Sequence, residues 1–233
     1  MRNRTVLITG ASGHIGSNLA SHFLEKEWNV VGVANNATLE PKEHLAVIST
    51  DFTKIGAGKD LILSAANIFG AIDLVINNAA RQDVALLEDE DPKRIHDVIQ
   101  VNLGAIAEIY AEVASGKYKT ESIINLSSIE AIGARPGHSI YGSTKAAIEA
   151  LTKSAAQEIA PIRSNAIRLG LIYREGINQA WPTGVAAWQG RAPLQRLGTV
   201  DDIARAIDYL WESTWTTGTV LTLDGGMSVS ANW

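Results

Sequence analysis

Cysteine does not occur among the 233 residues. Disulfides, thiolate metal centres and cysteine nucleophiles are thereby excluded. Long apolar runs are missing as well. None approaches the ~18 residues of a membrane span, and the stretch before Gly10 carries only a short apolar run without the pattern of a signal peptide. There is no basic excess: 20 Lys and Arg stand against 25 Asp and Glu, interspersed, for a formal net charge of −5. The electrostatic footprint of a nucleic-acid binder is therefore lacking. The five histidines show no paired ligand spacing, which argues against a catalytic metal. Internal repeats, low-complexity tracts and linkers are not found. These absences leave a soluble, cytoplasmic protein as the expectation. With 46% hydrophobic and 19% charged residues, one compact α/β domain over positions 1–233 is expected.

What is present is an alternation of strand-like and helix-like segments. Short apolar runs at Val6–Thr9, Val30–Val33, Leu45–Ile48, Leu74–Ile76, Ser122–Leu126, Ala166–Leu169 and Val220–Leu223 read as strands. Between them, helices are predicted after Gly13, over 61–69, 92–114 (with Pro92 in the first turn), 139–160 and 200–211. The span 171–197, with Gly184, Gly190, Pro182 and Pro193, reads as irregular. Strands alternating with helices predict a parallel, doubly wound, Rossmann-like sheet in a three-layer α/β/α arrangement.

Two local patterns carry chemistry. Thr9-Gly10-Ala11-Ser12-Gly13-His14-Ile15-Gly16 falls between the first strand and the first helix. Glycines there let backbone approach a pyrophosphate at a helix N-terminus. Tyr141 and Lys145, four residues apart, occupy one face of a predicted helix. A free tyrosine titrates near ~10, and a nearby cation favours its phenolate, which suits general acid/base work.

In their order these marks resemble the short-chain dehydrogenase/reductase family, in its short single-domain branch, over nearly the whole chain. The series comprises the Thr-Gly turn, Asp51 after the third strand, Asn77-Asn78-Ala79 after the fourth and Asn102 in a long helix. Ser127-Ser128 after the fifth strand, Tyr141 and Lys145, and Asp224-Gly225-Gly226 complete it. The resemblance implies hydride transfer between a nicotinamide dinucleotide and a carbonyl or secondary alcohol. It assigns Tyr141 as general acid/base, Lys145 to lower the phenol's pKa and hold the nicotinamide ribose, and Ser128 to steady the reacting oxygen. Asn102 is assigned to hold a water that links Lys145 to solvent. Cofactor contacts are implied at Gly10, Ser12, Gly13, His14, Ile15, Gly16, Asn35, Asp51, Phe52, Asn78, Ala79, Tyr141, Lys145 and Ile172. Asp51, at a strand end, is placed to meet adenine and is equally a common turn residue. His138 reads either as a substrate contact or as a solvated loop residue.

Two departures stand out. Position 14 is His, with glycine at 13, a pattern of the longer, epimerase-like branch, and Leu169-Gly170 replaces the usual Pro-Gly. The stretch 161–164 before the sixth strand looks shortened. Length speaks against a sugar-nucleotide epimerase or dehydratase, which carries a further substrate region; a non-catalytic dinucleotide sensor is the other alternative. At Val33-Ala34-Asn35-Asn36 the acidic residue that would grip an NAD ribose is missing, which favours NADP(H), with NAD(H) as the alternative. Tyr173, Arg174, Trp181, Trp188 and Arg191 lie in 171–197, where the family places a substrate lid. The aromatics there either meet an apolar ligand or pack the lid. Trp211, Trp215 and Trp233 read as core or subunit contacts. A small-molecule substrate and a homotetramer or homodimer built on 92–114 and 139–160 are implied. No basic patch for an acidic carrier protein stands out.

Overall fold

A computed structural model of the chain describes residues 2–35 and 40–230; Asn36 and Trp233 lie outside the described residues. Its centre is one sheet of seven strands in the order β3-β2-β1-β4-β5-β6-β7. These are β1 (Thr5–Thr9), β2 (Asn29–Ala34), β3 (Leu45–Ser49), β4 (Leu74–Asn77), β5 (Ser122–Ser128), β6 (Arg163–Leu169) and β7 (Val220–Leu223). All neighbours pair in parallel. Strands covered on both faces read as near-continuous apolar runs, because each successive side chain must be buried on one face or the other. In β1, Val6 and Ile8 enter the core beneath α1 (His14–Glu25) and α8 (Val200–Glu212), while Leu7 enters the opposite core. That second core is closed by α2 (Ala57–Phe69), α4 (Ala105–Ala114) and α5 (Ser139–Glu158).

The chain builds β1, β2 and β3 outward, then returns to lay β4 on the other side of β1. The connections leaving β1 and β4 therefore diverge, opening a crevice at the carboxyl ends of the strands. The residues singled out from the sequence gather around this crevice.

Two expectations are corrected, and two others are made more specific. The helix expected over 92–114 runs without interruption and contains a π-helical turn at Gln100–Gly104 between α3 (Pro92–Ile99) and α4. The span 171–197 is not irregular but holds α6 (Ile177–Ala180) and α7 (Pro182–Arg191). Gly176 starts α6 from a left-handed conformation (φ 78°), and Pro182 occupies the first turn of α7, so these residues begin helices rather than break them. Arg163 and Ser164, read as part of a shortened loop, pair with β5 as the start of β6. Trp215 is 99% exposed, which removes the core from its two expected places and leaves the subunit contact. Trp211 does pack inward, edge-on to Trp28 at 5.1 Å between ring centroids.

Candidate active site

The site is assembled from strand ends and the first turns of α5. Ser128 terminates β5, and α5 runs back along β5 and β6 with Tyr141 and Lys145 on its inner face. Spacing of four residues keeps the two on that face. The Tyr141 phenol and the Ser128 side chain line one cleft. Lys145 is buried; its Nζ donates to the Leu126 carbonyl at 2.8 Å and lies 5.5 Å from the centroid of the Tyr141 ring.

Burial governs both titrations. It pushes the Tyr141 phenol up to about 12; the Glu130 charge adds to the rise, and the Ser128 hydrogen bond opposes it. Burial also pulls the Lys145 ammonium down to about 8. The expectation that Lys145 holds the phenol below its ordinary value is thus not met. The ammonium faces a main-chain oxygen and the ring face, while burial and the Glu130 charge disfavour the phenolate.

Asn102 lies in the π-helical turn, fully buried. Its amide donates to the Arg81 carbonyl (2.9 Å) and to Thr144 Oγ1 (3.1 Å), and its oxygen accepts from the Arg81 N–H (2.7 Å). The side chain therefore fastens the loop after β4 to α5, one residue from Lys145.

Next to this group is a cleft of about 580 Å³ whose wall contains Gly10, Ser12, Gly13, His14, Ile15, Asn35, Asp51, Phe52, Asn78, Ala79 and Ile172. Of the cofactor residues expected from the sequence, Gly16 lies behind this wall, Tyr141 faces a second cleft and Lys145 lines neither. Gly10 has φ 67°, and a Cβ on it would fall 2.9 Å from the Ala79 Cα; a Cβ on Gly16 would collide with the Gly10 carbonyl. These glycines let the β1–α1 turn lie flat against β4 and present the first N–H groups of α1 to the cleft. Asn78 locks the turn by donating to the Thr9 carbonyl at 2.8 Å. The Asp51 carboxylate accepts from Thr53 N and Oγ1 (3.0 and 2.7 Å), so it serves as a turn residue while lining the wall. His14 is exposed, its Nε2 2.9 Å from the Tyr173 carbonyl. A shaped backbone cradle at a helix N-terminus, in an elongated cleft at the sheet's switch point, fits a dinucleotide.

The second cleft, of about 650 Å³, takes in Ser128 and Tyr141 beneath α6 and α7 and shares Ile15, Ile172 and Arg174 with the first. Trp181 and Trp188 both line it. They also pack the lid: Trp188 lies in a small core with Ile177, Val185 and Leu197, and Trp181 is stacked under Arg135 at 4.6 Å. Tyr173 is exposed, and Arg191 lines neither cleft. His138 is not a solvated loop residue: it is 5% exposed and faces the cleft with its ring edge-on to Tyr141. Sequence reasoning missed Glu130 and Gln82, and named Arg174 only as a lid residue. Glu130 had one faint signal, its position two residues beyond Ser128; Gln82 lies in a loop without periodicity.

Known proteins place this geometry in a lineage. Residues 10–228 match the family model described as enoyl-(acyl carrier protein) reductase. The 3-oxoacyl-(acyl-carrier-protein) reductase FabG of Chlamydia trachomatis is 31% identical, with 97% of this chain and 98% of that protein covered. The ligand-free aldohexose dehydrogenase of Thermoplasma acidophilum superposes with a TM-score of 0.90 at 27% identity, covering 100% of this chain and 96% of the other. ElxO with NADP bound superposes at 0.86 with 26% identity, covering 98% of this chain and 100% of that one. With its ordered motifs, its seven parallel strands and these matches, the chain belongs to the short-chain dehydrogenase/reductase family of nicotinamide-dependent oxidoreductases.

Proposed function

We propose that this protein interconverts a carbonyl compound and a secondary alcohol with NADP(H), Tyr141 acting as the general acid/base. The observation carrying this reading is that Ser128 and Tyr141 line one cleft, which joins the dinucleotide cradle through Ile15, Ile172 and Arg174. The bound nicotinamide supplies or accepts the hydride. The chain's own residues place the substrate oxygen and move its proton. With a pKa near 12 the phenol is protonated at neutral pH and is ready to donate to a carbonyl oxygen. Ser128, lining the same cleft, is placed to donate to that oxygen as negative charge develops on it. Lys145, whose pKa of about 8 leaves it mostly charged at neutral pH, supplies positive charge beside the ring. The cradle residues hold the dinucleotide, while α6 and α7 roof the substrate. The absence of a carboxylate at Ala34 and Asn35 favours NADP(H) over NAD(H), since no anion there repels a 2′-phosphate. ElxO, a structural neighbour, holds NADP. One domain spanning 1–233, with a lid formed by 171–197, is part of this reading.

The test combines turnover and binding. Tyr141→Phe is expected to fold and, like the wild type, is expected to bind NADPH more tightly than NADH, while its carbonyl reduction falls by ~10²-fold or more. Nicotinamide absorbance follows turnover and fluorescence titration follows binding. Full turnover in the variant removes Tyr141 from its role, and tighter NADH binding reverses the cofactor choice.

A further inference from the structure

Lys145 and Glu149 stand four residues apart on the inner face of α5, both buried. Side chains at that spacing reach one another, so a lysine and a glutamate there are expected to pair. They do not. Among the described residues no carboxylate pairs with the Lys145 ammonium, which donates to the Leu126 carbonyl instead. The Glu149 carboxylate is held elsewhere. Arg168 grips it with two N–H donors, Nε to Oε1 at 2.8 Å and Nη2 to Oε2 at 2.5 Å. Ser127 Oγ donates to the same Oε1 at 2.8 Å. The sheet fixes this grip from below. Ser127 and Arg168 are register partners in β5 and β6, so their side chains rise side by side toward α5. Arg168 Nη1 also donates to Thr222 Oγ1 of β7 at 3.1 Å, which sets the plane of the guanidinium.

Resting on the reading of Tyr141 and Lys145 as the reacting pair, we propose that Arg168 is a positioning residue: it confines the Glu149 carboxylate at the sheet and so keeps the Lys145 ammonium unpaired, available to Tyr141 and the nicotinamide ribose. Released from the guanidinium, Glu149 is a buried carboxylate with one hydroxyl donor left, and the cation one helical turn away answers it. The ammonium then turns from the Leu126 carbonyl toward the carboxylate, and its proton is held more tightly. The other charged groups acting here are Glu130, on Tyr141, and Asp224, on Arg168. Crosslinking of α5 to the sheet is the plainer role for the ion pair. That role needs no particular partner for Lys145 and leaves its titration where it is.

Arg168→Met removes the fork and keeps an apolar stem, and Arg168→Met/Glu149→Gln removes the orphaned charge as well. A crystal structure of the single variant is expected to show Lys145 Nζ within hydrogen-bond distance of Glu149; Nζ still on the Leu126 carbonyl overturns the inference. Reduction is followed at saturating NADPH with two probes, erythrulose and the acetoacetyl thioester of N-acetylcysteamine. In the single variant kcat is expected to fall about tenfold or more. The alkaline decline of kcat/KM, which marks loss of the Lys145 proton near pH 8 in the wild type, should move up by about one unit. The double variant should return both to wild-type values. An unmoved decline with a lowered Tm is the mark of crosslinking alone and overturns the inference, as does a rate loss that persists in the double variant. If Arg168→Met does not fold, Arg168→Lys, which keeps the charge without the fork, carries the test: the decline should move in the same direction, and an unmoved one overturns the inference. Absence of wild-type turnover of both probes removes the oxidoreductase reading, while the position of Nζ still decides whether Arg168 confines the carboxylate.

Discussion

At Tyr141 one proton is held by opposing influences: burial and the Glu130 charge resist its loss, and the Ser128 hydrogen bond assists it. Neutralising the carboxylate relieves part of the resistance. Glu130→Gln is therefore expected to lower the phenol's pKa, so that alcohol oxidation reaches its alkaline plateau at a lower pH than in the wild type. Profiles of kcat/KM against pH check this; an unmoved or alkaline-shifted profile sinks it. Lys145 presents the reverse case. Its folded pKa, about 8, lies below its ordinary 10.5, so the unfolded chain binds the extra proton more readily between those values. Charging this buried amine costs stability below about pH 8, and the penalty fades as pH rises toward 10.5. Lys145→Met should remove that rise and unfold no earlier than the wild type at pH 7 while losing activity. Thermal scans across the window decide; a large loss of stability at pH 7 would show that the Leu126 contact outweighs the buried charge.

Among the elements, the π-helical turn between α3 and α4 has the clearest local consequence. The π-helical turn places Asn102 where its amide can reach both Arg81 and Thr144. Asn102→Ala deletes three hydrogen bonds, the one to Thr144 fully buried, and leaves the Arg81 main-chain N–H and carbonyl without this partner. The expected loss is about 2–3 kcal/mol, or roughly 5–10 °C in Tm for a chain of this size; an unchanged Tm would show those groups to be repaired locally. This turn was not legible in the sequence, since Pro92 and the apolar spacing continue through it and only Gly104 hints at a change. The strands were legible, because burial on both faces leaves a nearly unbroken apolar run at each. The lid helices were hidden by Gly184, Pro182 and Gly190, residues read as breakers. Pro182 starts α7, and Gly184 instead makes room for the Trp181 ring. Motif residues such as Ser128, Tyr141 and the glycines could be found by spacing. Glu130, His138 and Gln82 could not be assembled, because long-range packing alone brings a β4 loop and a β5 loop together.

For the molecule as a whole, the sheet's switch point fixes where both clefts open, and three side chains belong to both. Ile15 comes from the first helix, while Ile172 and Arg174 come from the segment that leads into the lid. A dinucleotide resting on Ile15 and Ile172 finishes the partition that the second compartment lacks. Catalysis should then follow a compulsory sequence, nucleotide entering before substrate and departing after product. Product-inhibition patterns reveal such an order, and a random pattern would mean that the shared wall transmits nothing.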